Sequence, residues 1–136
     1  MRTHILLLTL LLPVSAHAAE CEVLYTYEAK ITEVYDGDTV TADIDLGFDT
    51  WKHDEKLRLV GIDAPEVKGA EKAEGIKSRD ALRTEVLGKD VTVCTFQDKQ
   101  GKYGRYLATL FVNDRNINDW LVTNGYAARA SVDWVA

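Results

Sequence analysis

Beyond its first dozen residues the sequence has no apolar run long enough to cross a bilayer as a helix, no internal repeat and no low-complexity segment. A later membrane anchor and a solenoid are thereby excluded. Histidine is scarce, and the two cysteines, Cys21 and Cys94, have no histidine cluster near them, which argues against a thiolate zinc site. Positive charge is also short. Sixteen Lys and Arg stand against 22 Asp and Glu, for a net charge of −6. Surfaces that bind phosphate are usually basic, so this balance works against a nucleic-acid partner unless cations gather locally. A length of 136 residues suits one domain with a modest core.

The start of the chain reads differently from the rest. Met1 to His4 carries charge, Ile5 to Leu12 is apolar, and Ala16-His17-Ala18 has the small-x-small form of a cleavage site. This pattern predicts a signal peptide over 1–18 and a single domain over 19–136, secreted or periplasmic in a bacterium. Cys21 is preceded by Glu20, where a lipoprotein would carry a small residue. In an oxidising compartment the two distant cysteines suit a Cys21–Cys94 disulfide. The alternative is one buried thiol and one thiol at a frayed terminus.

Glu22 to Val34 reads as a first strand, with Tyr25 and Tyr27 two apart. Asp36-Gly37 is a hairpin signal, and Thr39 to Ile44 is the returning strand. Turn chemistry accounts for Asp36. Asp38 is less easily assigned to it, because Asp38 stands at a strand mouth where it could join Asp63 as a second carboxylate. Asp45 to Lys56 is expected to be a loop or loose hairpin, with His53 exposed. Ala70 to Leu87 has apolar residues at three-to-four spacing, predicting an amphipathic helix stopped by Gly88; its charges form a solvated face. Val91 to Phe96 and Arg105 to Val112 are the fourth and fifth strands. A short helix follows around Ile117 to Val122, capped by Asn116 or Asn118 and stopped by Gly125.

The third strand leads into Leu57-Arg58-Leu59-Val60-Gly61-Ile62-Asp63-Ala64-Pro65-Glu66. Unbroken alternation would put Arg58, Val60 and Ile62 on one face and Leu57, Leu59, Gly61 and Asp63 on the other. Pro65 ends the strand and gathers Asp63, the Ala64 carbonyl and Glu66, oxygen donors of the kind a hard cation such as calcium takes. A solvated acidic turn is the plainer alternative. Five short strands, with a helix between the third and fourth and another after the fifth, predict a mainly β, α+β fold. It would be a five-stranded Greek-key barrel of the OB-fold type.

Three segments, Asp36-Gly37-Asp38-Thr39-Val40, Arg58 to Glu66, and Lys102-Tyr103-Gly104-Arg105, together resemble the staphylococcal nuclease (thermonuclease) family, over roughly Ala29 to Ala130. The resemblance implies a monomeric, calcium-dependent phosphodiesterase that cuts DNA and RNA with little sequence preference and leaves 3′-phosphate ends. It implies Asp38 and Asp63 as calcium carboxylates, and Ala64 as a ligand through its backbone carbonyl, where the family often has threonine. It implies Glu66 as general base, and Arg58 and Arg105 as the pair that grips the scissile phosphate. Forked guanidiniums suit that task better than ammonium groups. The sequence also departs from the family. Ser131 and Asp133 stand near the positions of two nucleotide-contacting tyrosines, with Trp134 as a substitute stacking face. The loop before Lys102 is shorter, and the family's C-terminal helix is absent. A cluster of Lys99, Lys102, Arg105 and Arg129 would supply the phosphate track despite the net acidity. The alternatives are a non-catalytic OB-fold binding module and a marginally stable truncated homologue, for which a Cys21–Cys94 bridge would be the compensating staple.

Overall fold

The computed structural model describes residues 25–131, apart from the side chain of residue 97. The expected signal peptide, Cys21, Asp133 and Trp134 lie outside these residues. The first strand, β1 (Tyr25–Val34), turns back into β2 (Thr39–Asp45), which pairs with β3 (Trp51–Leu59). After the two-residue β4 (Ile62–Asp63) come the helix α1 (Lys72–Val86), β5 (Asp90–Gln100) and β6 (Tyr106–Val112). The short β7 (Arg115–Asn116), the helix α2 (Ile117–Thr123) and the short β8 (Ala128–Arg129) complete the order. Hydrogen bonding runs β3-β2-β1-β5-β6, and a parallel pairing of β3 with β6 joins the two ends into a ring. With α1 between the third and fourth long strands, this is the OB-fold arrangement expected from the sequence.

Alternation puts one face of each strand inside. Ala29 and Ile31 on β1, Val40, Ala42 and Ile44 on β2, Leu57 and Leu59 on β3, Val91 and Val93 on β5, and Ala108 and Leu110 on β6 form the core, with Leu82 and Val86 from α1. A register shift between Ile31 and Glu33 brings Val34 to the same interior. The opposite residues of β2 and β3, among them Thr39, Thr41, Lys56 and Arg58, therefore face outward, and the site is built on them.

Two expectations left open are decided, and two are corrected. The segment 45–56 is an ordered hairpin, closed by Leu46 N–H to Thr50 C=O (2.8 Å) and Thr50 N–H to Gly47 C=O (2.9 Å). Its residues are exposed on both sides, so no period of two marks them as strand. The third strand does not run unbroken to Asp63. Gly61 has φ +74, and the turn it makes resets the alternation, so that Ile62 is buried with Leu57 and Leu59 while Asp63 faces out. The buried stripe of α1 is Gly75, Ser78, Leu82 and Val86. Leu87, expected in that stripe, is 43% exposed and caps the helix, with Gly88 beyond it at φ +70. Of the two asparagines expected to cap α2, Asn116 does so, accepting from Asp119 N–H at 3.0 Å.

Asn118 has a different task. Its buried amide accepts from Leu110 N–H (3.2 Å) and donates to the carbonyls of Val60 (3.0 Å) and Ala108 (3.1 Å). It thereby ties the turn after β3 to β6. Cys94 is buried on β5 and is not a free thiol.

Candidate active site

Asp38 ends the turn between β1 and β2, where Asp36 Oδ1 accepts from Asp38 N–H at 3.0 Å. Gly37 is required there by crowding: a Cβ on it would lie 1.8 Å from Ser78 Oγ on α1 and 2.7 Å from the Ala64 Cβ. The helix thus presses the turn against the 63–66 segment, and Asp38 is 5% exposed. Its Oδ1 accepts from Thr39 Oγ1 (3.1 Å), and its Oδ2 accepts from Ala64 N–H (2.8 Å) and pairs with Arg58 Nη2 (3.2 Å). Burial pushes its carboxyl up to about 6, against the lowering effects of the Ala64 amide and the Arg58 charge.

Arg58 is held from behind. Its Nη1 donates to the carbonyls of Leu59 (2.5 Å) and Ile62 (3.0 Å), which fixes the guanidinium plane. Its Nη2 reaches Asp63 Oδ1 at 3.3 Å as well as Asp38, so one nitrogen lies between two carboxylates. Arg105, entering β6, donates from Nη1 to Thr39 Oγ1 at 3.2 Å and lies over the Tyr103 ring at 5.5 Å. Thr39 therefore links Arg105 to Asp38. The two arginines line a common cleft of about 240 Å³ with Lys102 and Ser131. Their forks meet one open volume, as an anionic ligand with several oxygens requires.

Glu66 is exposed, and its carboxylate has no hydrogen-bond or ion-pair partner among the described residues; its N–H donates to Glu71 Oε2 at 3.2 Å. The backbone beneath it is fixed by α1. A Cβ on Gly75 would lie 2.1 Å from the Glu66 carbonyl oxygen and 2.8 Å from that of Pro65. Only glycine lets the helix come so close.

The structure thus joins Asp38, Arg58, Asp63, Ala64 and Arg105 in one hydrogen-bonded network and leaves the Glu66 carboxylate outside it, without a hydrogen-bond or ion-pair partner among the described residues. No group of three or more His, Cys, Asp or Glu among the described residues is arranged to hold a metal ion. The donor chemistry nonetheless fits a hard cation. Two carboxylates converge on a single positively charged atom, with no thiolate or imidazole among them. Of the expected cationic track, Lys102 and Arg105 share the cleft with Arg58, whereas Arg129 is paired with Asp119 at 2.5 Å. Three residues gain a place at the site that residue type alone does not announce: Thr39 between Asp38 and Arg105, Tyr103 under the Arg105 guanidinium, and Lys56 on β3 beside Arg58. The signal for Lys56 was its place two residues before Arg58, on the same face.

A family model described as staphylococcal nuclease homologue matches residues 56–134. The chain belongs to that family. An uncharacterized protein of Methanocaldococcus jannaschii is 30% identical over 126 residues, covering 74% of this chain and 58% of the relative. A second uncharacterized protein, from Bacillus anthracis, is 30% identical over 121 residues, covering 86% of this chain and 54% of its own length. A protein of Oryza sativa subsp. japonica named "Probable staphylococcal-like nuclease" is 35% identical over 72 residues, 53% of this chain and 18% of the relative. The chain spans little more than half the length of the first two. Family membership points to nuclease-like chemistry.

Proposed function

We propose that the protein is an exported, calcium-dependent nuclease that hydrolyses phosphodiester bonds of DNA and RNA and leaves 3′-phosphate ends. The observation that carries the reading is the placement of Arg58 and Arg105 on opposite sides of Asp38, one by ion pair and one through Thr39, with both guanidiniums open to the same cleft.

Asp38, Asp63 and the Ala64 carbonyl would hold calcium, which when bound supplies positive charge for the reacting phosphate. The chain's own groups do the rest. Arg58 and Arg105 bind and orient the diester, and their charge offsets what gathers on its oxygens as the transition state forms. Arg58 stays aimed because the Leu59 and Ile62 carbonyls hold its other nitrogen. Glu66, without a partner to occupy it, takes a proton from the attacking water. The water oxygen bonds to phosphorus, the P–O5′ bond breaks, and the 5′ oxygen leaves as a hydroxyl after taking a proton from solvent.

The test is incubation of the purified protein with plasmid and with single-stranded DNA, in calcium or in excess chelator. Degradation in calcium alone supports the reading. A folded protein that binds DNA and leaves it intact is instead a binding module.

A further inference from the structure

The outward face of β3 carries a second cation. Lys56 and Arg58 lie two residues apart on one strand, so their side chains leave the same face about 7 Å apart. Their cross-strand neighbours on β2 are Thr41 and Thr39. That spacing is close to the distance between successive phosphates of a nucleic acid strand. Beyond Lys56 opens a cleft of about 300 Å³, separate from the one shared by Arg58 and Arg105, lined by Glu33, Tyr35, Thr41, Lys56, Tyr103 and Arg105. Arg105 belongs to both clefts. A phosphate gripped by Arg105 therefore has a continuation of its own chain on this side. Two aromatic rings are available there, Tyr35 at 50% exposure and Tyr103 at 90%. Arg105 lies over the Tyr103 ring at 5.5 Å, which leaves the half-exposed Tyr35 ring as the apolar face open to a ligand.

We propose that this second cleft is a subsite for the nucleotide next to the scissile phosphate, with its unpaired base stacked on Tyr35 and its outer phosphate on Lys56. The inference rests on the reading of Arg58 and Arg105 as the phosphate-gripping pair. Glu33, at the same mouth, repels a phosphate, so the interior takes the base and the backbone stays on the Lys56 side. The base must be unpaired. Within a duplex both faces of a base are covered by its neighbours, and a side-chain ring reaches one only after unstacking. The subsite thus makes the enzyme prefer single-stranded or locally melted substrate.

The test uses the full chain carrying Glu66→Gln, so that nucleic acid is bound in calcium without turnover. Fluorescence anisotropy with a short labelled oligothymidylate, and with a duplex of equal length, reads affinity. Adding Tyr35→Ala weakens single-strand binding about tenfold, the loss of one stacked base. Duplex binding and the melting temperature stay unchanged. Tyr35→Trp restores single-strand binding. Lys56→Ala reduces the slope of log affinity against log salt by about 0.7, one single-strand phosphate contact. Wild-type affinity in Tyr35→Ala, or an equal loss for duplex, overturns the subsite. If the unsubstituted protein cleaves DNA in that event, the nuclease reading survives; if it neither cleaves nor binds, both fall.

Discussion

Asp38 and Asp63 approach the same guanidinium nitrogen at 3.2 and 3.3 Å, yet one is buried and the other has a side chain 73% exposed. Asp38 is enclosed by its own turn, by Thr39, by the Ala64 amide and by the helix pressed on Gly37. Asp63 and Glu66 lie on a segment fixed mainly through its backbone. The two-residue pairing of β4 with β8 holds one end, and the contact between Gly75 and the Glu66 carbonyl holds the other. The difference teaches that the site has a half made by packing, complete before any ligand binds, and a half whose side chains stay free to meet water, cation and substrate. Function is expected to reside in the second and stability in the first.

The largest effect that would break this division concerns Glu66. Glu66→Gln is expected to lower kcat by about 10²–10⁴-fold with no change in melting temperature, because its carboxylate holds nothing in the fold. Steady-state kinetics beside thermal denaturation decides it. Near-native turnover removes Glu66 from the chemistry, and a large thermal shift removes it from the free half.

The packed half answers the opposite way. Asn118→Ala leaves the Leu110 amide and the Val60 carbonyl without their buried partner, so unfolding in urea should show a loss of roughly 2–4 kcal/mol. A loss below about 0.5 kcal/mol, the size of a neutral surface change, would mean that Asn118 does not hold the Val60 turn.

Asp38 gives the comparison a pH signature. Its carboxyl titrates near 6 in the folded protein, against 3.8 as the ordinary value, because burial disfavours its charge. The folded state therefore binds this proton more tightly than the unfolded chain. The stability it contributes is present in full below about pH 4 and is lost as pH rises through 6, by roughly 3 kcal/mol. Denaturation between pH 4 and 7 in chelator should show this fall superimposed on the other groups, and Asp38→Asn should flatten it. A curve unchanged by that substitution contradicts the burial argument.

The smallest expected effect joins the halves. Gly75→Ala places a methyl against the Glu66 carbonyl, at a cost of about 1–3 kcal/mol. Turnover should fall further than stability alone explains, because the Glu66 backbone must move. Loss of stability with intact kcat would show that the segment relaxes without harm to the base.

Much of this arrangement was legible in the sequence. Strand interiors such as Val40-Ala42-Ile44 announce themselves by period two. The motif around Asp38, Arg58, Asp63 and Arg105 is dense enough to name residues that the fold then brings together. What was hidden was hidden for physical reasons. The hairpin 45–56 has no buried face, so alternation left no trace in residue type. The turn at Gly61 shifts the phase of the third strand, and one glycine among apolar residues does not reveal that. Gly75 and Ser78 read as gaps in the helical stripe, whereas they are its closest contacts; small residues at a tight approach look like weakness in a sequence. Thr39 gains its place between Asp38 and Arg105 only through a partner, Arg105, that lies 66 residues away in the chain.

The most direct test of the central claim is the chemistry of the ends. An internally labelled oligonucleotide digested in calcium should yield fragments with 3′-phosphate and 5′-hydroxyl termini, and none in chelator. Fragments with 5′-phosphate ends, or an intact oligonucleotide in the presence of folded protein and calcium, would contradict the assignment of Arg58, Glu66 and Arg105 to cleavage of the P–O5′ bond.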